Sequence, residues 1–76
     1  MTRSQFLNIF IEELGDKNLS LTSEFKGLSN WSSLLSIIII NEIELKSGII
    51  LSVKDIIESN TIAELYDRLI TQEKVN

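Results

Sequence analysis

The chain contains no cysteine and no histidine. Without cysteine, neither disulfides nor thiolate metal ligands can form, and without histidine the usual metal ligand and the usual general base near neutral pH are missing together. These two absences argue against self-contained catalysis and against a metal centre. Positive charge is scarce as well, with seven basic residues against eleven acids and a net charge of -4. That balance repels phosphate backbones and favours partners with basic surfaces, so nucleic acid is not an expected ligand. Nor is there a long hydrophobic run. The stretch from Leu34 to Ile40 is far shorter than the roughly 20 apolar residues a membrane span needs, and Glu42 and Glu44 close it. At the start, MTRSQFLNIFIEELGDK places Glu12, Glu13 and Asp16 directly behind a short apolar segment and offers no small-residue cleavage site, which is not the pattern of a signal peptide. The expectation is a soluble, cytoplasmic protein without membrane contact. At 76 residues the chain is expected to form one domain over 1–76, and at this size tightly packed helices are the economical way to bury a core.

What is present reads as helices separated by clear stops. Phe6, Leu7, Phe10, Ile11 and Leu14 recur at helical spacing and leave Glu12 and Glu13 for solvent, which predicts a first helix over about 3–14 ended by Gly15. From Asp16 to Ser32 the chain is rich in turn formers yet threaded with Leu19, Leu21, Phe25, Leu28 and Trp31. A loop this long in a small domain is usually functional or tied down by its own side chains, and those five residues are the candidate ties. A second helix is predicted over 33–47 with Gly48 as its stop. Ser52, three residues ahead of Asp55, opens a short third helix over about 53–58 that includes Ile56 and Ile57. Thr61 and Glu64 form a capping-box pair at the head of a fourth helix over about 62–72, with Ile62, Leu65, Tyr66, Leu69 and Ile70 on one face. The tail TQEKVN is polar and is expected to fray. The fold class is therefore all-α, a four-helix bundle with a long first loop and a short third helix.

The stretch NWSSLLSIIII, residues 30–40, sets two serines directly ahead of the most apolar run in the chain. A serine in that place is commonly an N-cap whose hydroxyl accepts a hydrogen bond from a first-turn N–H group, and Ser32 is the expected cap. Ser33 then falls on the first helical residue with its hydroxyl pointing outward. Negative charge attached there would be stabilised by the free N–H groups and the positive end of the helix dipole. Spacing alone leaves both roles open for the second serine.

The stretch from Phe25 to Leu69 resembles the acyl carrier protein family, including its peptidyl carrier relatives. Trp31-Ser32-Ser33-Leu34 lies on the family's Trp-Asp-Ser-Leu, Ile43-Glu44 on the Leu/Ile-Glu of the second helix, and Gly48-Ile49 on Gly-Ile. Thr61-Ile62-Ala63-Glu64-Leu65 lies on the fourth-helix signature. With Phe6 to Leu14 as the first helix, the resemblance covers nearly the whole chain. It implies that Ser33 accepts 4'-phosphopantetheine from coenzyme A through a phosphopantetheinyl transferase. The thiol of the arm would then hold an acyl, aminoacyl or polyketide group as a thioester and present it to loading and synthase enzymes. The cofactor would supply the reactive group that a cysteine-free chain lacks, so the chain is expected to be a carrier rather than an enzyme. Two positions depart from the family pattern. Ser32 replaces the aspartate before the modified serine, keeping the cap but removing the charge, and Ser47 stands where many members carry phenylalanine.

Four successive isoleucines at 37–40 sweep round most of a helix at about 100° per residue, so they cannot all face one core. If Ile37, Ile40 and Ile43 face the bundle, then Leu35, Ile38 and Leu45 share another face with Asn41 and Glu42. The candidate partner-binding residues are Leu35, Ile38, Glu42, Leu45, Asp55 and Glu58, an apolar centre with acids around it. The other reading of these apolar side chains is that the long loop covers them through Leu28 or Trp31, and Trp31 itself is expected to anchor the loop rather than bind a ligand. The compact length and starting methionine point to a free-standing, monomeric carrier, and the greasy second helix to a specialised biosynthetic pathway. The alternative function is an unmodified carrier-fold module that binds a partner through the apolar face of the second helix.

Overall fold

The computed structural model describes residues 1–75 and contains four α-helices. They are α1 (Arg3–Leu14), α2 (Ser33–Ser47), α3 (Val53–Glu58) and α4 (Ile62–Val75), with a short 3-10 turn at Phe25–Gly27 inside the first loop. The described residues form no strand, so the all-α bundle with a long first loop and a short third helix is what the chain adopts. No helix among the described residues is long and apolar enough to cross a membrane.

Local chemistry sets the helix ends. Thr2 caps α1 and exchanges hydrogen bonds with Gln5, at 3.1 Å to the Gln5 N–H and 2.8 Å from its own N–H. Gly15 and Gly48 end α1 and α2 at φ 65° and 77°, left-handed conformations that glycine adopts without a Cβ penalty. Ser52 and Asp55 form the reciprocal box that opens α3. At α4 the reach is one residue longer than the usual box: Thr61 Oγ1 accepts from the Glu64 N–H at 3.2 Å, while the Glu64 carboxylate accepts from the Asn60 N–H at 3.0 Å. Two further first-turn donors of α4 are satisfied from the long loop, where the Ser23 and Leu21 carbonyls accept from the Ile62 and Ala63 N–H groups at 3.2 and 2.8 Å.

Helix α4 runs past the expected end at 72 to Val75. The tail was expected to fray because it is polar, but Glu, Gln and Lys are good helix formers and this segment has a partner in the N-terminus. The Met1 ammonium lies 3.8 Å from the Glu73 carboxylate, and Tyr66 Oη donates to the Met1 carbonyl at 2.8 Å. Asn76 lies outside the described residues.

Phe6, Ile9, Phe10 and Leu14 of α1 meet Ile39 and Ile43 of α2, Ile56 of α3, and Ile62, Leu65, Tyr66 and Leu69 of α4. Ile9 joins this core beside the expected α1 residues, while Leu7 and Ile11 are partly buried against it. The five loop ties all pack as expected: Leu19 and Phe25 are buried in the core, and Leu21, Leu28 and Trp31 lie against it. Every aromatic side chain belongs to one continuous line from Tyr66 through Phe6, Phe10 and Phe25 to Trp31, with ring centroids 5.0 to 5.5 Å apart at each step. Tilted and edge-on contacts of this kind add about 0.5–1.5 kcal/mol each beyond the area they bury. The line begins on α4 and ends two residues before Ser33.

The orientation of α2 corrects one expectation. Its buried residues are Ser36, Ile39 and Ile43, three and four apart, with Leu35 and Ile40 partly buried against the core. Ile37, expected to face the bundle, is 51% exposed. At about 100° per residue it falls well round the helix from Ile39 and Ile43, and the core has room for only one stripe of α2.

Candidate functional site

The long loop delivers the chain to α2 in a fixed place. Asn30 Nδ2 donates to the Leu14 carbonyl at the end of α1, at 2.6 Å, and the Trp31 N–H donates to the Leu28 carbonyl at 3.0 Å. The Trp31 ring then packs edge-on against buried Phe25 at 5.0 Å, so Trp31 is the anchor expected of it. One residue later Ser32 is fully extended, with φ -151° and ψ 164°, and begins the helix as its N-cap. Its Oγ accepts from the Leu35 N–H at 3.2 Å, and its carbonyl accepts from the Ser36 N–H at 3.2 Å and from Ser36 Oγ at 3.4 Å. Ser32 is therefore wholly occupied in holding the first turn.

Ser33 is the first residue of α2 and is exposed. Among the described residues its hydroxyl makes no side-chain hydrogen bond, in contrast to the hydroxyls of Ser32 and Ser36 on either side. The N–H groups of Ser33 and Leu34 have no acceptor within the helix, as the first turn of any α-helix requires. The first turn of α2 also contains no acid. A phosphodiester on Ser33 would meet free N–H donors, the positive end of the α2 dipole and no carboxylate from its own turn, so these residues fit a phosphate-linked group.

The expected docking residues do not form one face. Leu35 is turned toward the core, Ile38 is half-buried, and Leu45 is 80% exposed. The Glu42 carboxylate lies 3.9 Å from Lys46 Nζ, one turn along α2. Asp55 and Glu58 are drawn together by a residue of α4: Arg68 places Nη1 3.1 Å from Asp55 and Nη2 3.1 Å from Glu58. Asp55 also accepts from the Ser52 N–H at 2.8 Å, from the Ser52 hydroxyl at 3.1 Å and from Gln72 Nε2 at 3.4 Å. Burial pushes its carboxyl up, but the Ser52 N–H and hydroxyl and the Arg68 guanidinium outweigh that and hold it below the ordinary carboxylate value of 3.8. Asp55, Asp67, Arg68, Thr71 and Gln72 line an open cleft of about 300 Å³ beside this ion-pair cluster.

Sequence reasoning missed the residues that do form the exposed apolar surface: Leu34, Ile37, Ile50, Val53 and Ile57, which join Leu45. The long loop does not cover them. A signal for part of this surface was present, because Leu34, Ile38, Asn41 and Leu45 stand at four, seven and eleven residues, the spacing of one helical stripe, and Asn41 marks that stripe as outward. Ser47, in place of a core phenylalanine, spends its hydroxyl on the helix end, donating to the Ile43 carbonyl at 2.6 Å and accepting from the Ile49 N–H at 3.1 Å.

No curated protein and no solved structure matches the chain significantly. A family model described as the phosphopantetheine attachment site matches residues 4–69, which takes in all of α2 and α3, the long loop and most of α1 and α4. Together with the helical bundle, and with a serine at the head of α2 whose surroundings accept a phosphate ester, that match makes the chain a member of the acyl and peptidyl carrier protein family, whose domains bear a covalent 4'-phosphopantetheine group.

Proposed function

We propose that Ser33 is the attachment point and that the chain serves separate biosynthetic enzymes as a thioester carrier in a specialised pathway. The observation that carries this reading is the division of labour between the two adjacent serines. Ser32 closes the first turn of α2, and Ser33 stands exposed at the first helical position with its hydroxyl uncommitted among the described residues. When bound, 4'-phosphopantetheine supplies a thiol on which an acyl, aminoacyl or polyketide group can ride. The chain's own residues do the remaining work. Ser33 Oγ provides the ester oxygen, the Ser33 and Leu34 N–H groups and the helix dipole stabilise the phosphate charge, and the Asn30 and Trp31 contacts hold the loop that presents it. Transfer of the arm needs a phosphopantetheinyl transferase, and charging it needs a loading enzyme. One core continuous from Phe6 to Leu69 supports reading the chain as one carrier domain.

Intact mass before and after incubation with coenzyme A, magnesium and a broad-specificity phosphopantetheinyl transferase tests the assignment, with fragmentation to locate the adduct. One added phosphopantetheine on Ser33, lost in Ser33→Ala and kept in Ser32→Ala, is the expected result. An adduct on Ser32, or on neither serine with a cognate transferase also tried, would overturn it, and the second outcome would leave the unmodified interaction module as the better reading.

A further inference from the structure

Helix α2 is apolar on two opposite sides. Its buried stripe is Ser36, Ile39 and Ile43. At about 100° per residue, Leu34, Ile38, Asn41 and Leu45 fall half a turn away from that stripe. Ile38 is half-buried and the other three are exposed, Leu34 at 66% and Leu45 at 80%. A helix that is apolar all round is normally covered all round, and α2 is not long enough to find that cover by crossing a membrane.

The outer stripe has a symmetry of its own. Its steps of four, three and four residues are those of a coiled-coil seam, and they read the same from either end. Against a second copy running the opposite way, Leu34 meets Leu45 and Ile38 meets Asn41, each contact made twice about a two-fold axis. Asn41 is the polar member of the seam, the kind of residue that fixes register at some cost in stability. Charge selects the same direction. Residues 33–41 carry no charge, while Glu42, Glu44 and Lys46 all lie beyond them. A parallel pair would set the two glutamates against their own copies. The antiparallel pair sets Glu44 level with Leu35 of the other copy, in a first turn that holds no acid and where the helix dipole favours negative charge.

The surface is also large enough. Helix α3 packs on α2, and Ile50, Val53 and Ile57 extend the exposed apolar side chains beyond Leu34, Ile37 and Leu45. Together these six offer roughly 700 Å² of mostly apolar surface, where a standard interface takes about 800 Å² per partner with its polar rim included.

We propose that the outer face of α2 is a dimer interface, covered by a second copy of this chain lying antiparallel with Leu34 against Leu45 and Ile38 against Asn41. Length suggests a monomer, but α2 completes its burial only as a pair. Ser33 lies more than a quarter turn from the seam and stays at its rim, and the two copies of it stand about 20 Å apart along the paired helices. The pairing does not depend on Ser33 being the attachment point.

Sedimentation equilibrium of the full chain between about 5 and 500 µM tests the pairing, with circular dichroism to check that each variant keeps its helical signal. The wild-type mass should rise from that of one chain to that of two across the range. Leu34→Lys and Leu45→Glu should each raise the dimer Kd at least about tenfold. An equimolar mixture of these two variants should associate again, because the substituted positions face each other only across an antiparallel pair. Asn41→Leu should lower the Kd about tenfold by removing the polar layer. A wild-type chain still monomeric at the highest concentration would leave the face to a partner of another kind and overturn the inference. So would association unchanged in both charged variants, or a mixture no more associated than its components. Phosphopantetheine attachment is read separately by mass, so failure of the pairing and failure of the Ser33 assignment are distinct results.

Discussion

The two sides of this bundle are built to different rules. On the α1–α4 side every large hydrophobic residue whose side-chain placement is described is buried or packed against the core, and acids outnumber bases. On the α2–α3 side large hydrophobics stand in solvent, and Glu42, Asp55 and Glu58 are paired. The first side is what solubility asks of a small acidic domain. The second gives up some of that protection next to Ser33, whose hydroxyl makes no side-chain hydrogen bond among the described residues. A single helix shows both rules at neighbouring positions, since Ile39 is fully buried and Ile37 is half in solvent.

The largest effect that would break the comparison lies in the aromatic line. Phe10 is fully buried and touches both Phe6 and Phe25, so Phe10→Ala should cost about 3–5 kcal/mol. Against the roughly 4–11 kcal/mol available to a chain of this length, that is enough to lower a urea midpoint sharply and to loosen both sides together. Within α2, Ile39→Ala should cost about 2–5 kcal/mol. Ile37→Ala should stay within about 0.5 kcal/mol. Equal losses at the two positions would show that α2 is rotated from the orientation described. Ser32→Ala should cost about 1 kcal/mol as a lost cap. Ser33→Ala should leave the denaturation curve nearly unmoved, and a reversed order would exchange their roles.

The smallest effect is acid-dependent and concerns α3. The Asp55 carboxyl is held below 3.8 by Ser52 and Arg68 against the opposing effect of burial. A carboxyl lowered in the folded state adds stability that is fully present above its unfolded value, and that stability is lost as pH falls through the folded one. Asp55→Asn should therefore reduce stability at neutral pH and flatten the decline below about pH 4, as read by urea titration at several pH values. An unchanged acid limb would mean that the Ser52 and Arg68 contacts do not persist in solution.

Much of the fold was legible because its signals are local. Gly15, Gly48, Ser32, Ser52 and Thr61 act within a turn of themselves: Gly15 stops α1, Ser32 and Gly48 bound α2, and Ser52 starts α3. Facing was harder. The run Ile37 to Ile40 has no polar residue to mark an outward side, so only the shape of the core decides that Ile39 and Ile43 point in. The fate of Asp55 and Glu58 was out of reach for a related reason, because Arg68 arrives from another helix and nothing near α3 announces it. The end of α4 was misread likewise, since its support comes from Met1 at the far end of the chain. At the site itself, the cap and the exposed serine were legible from two adjacent residues, while the surface around them depended on how α2 is rotated.

The aromatic line gives the protein a built-in optical reporter. Trp31 is the only tryptophan, it rests edge-on against buried Phe25, and it is two residues from Ser33. Its emission therefore comes from a single place, the seam where the loop meets α2. The fluorescence of the unlabelled chain can follow both unfolding of the core and events at the neighbouring serine, and a shift with an unchanged helical signal would mark the latter.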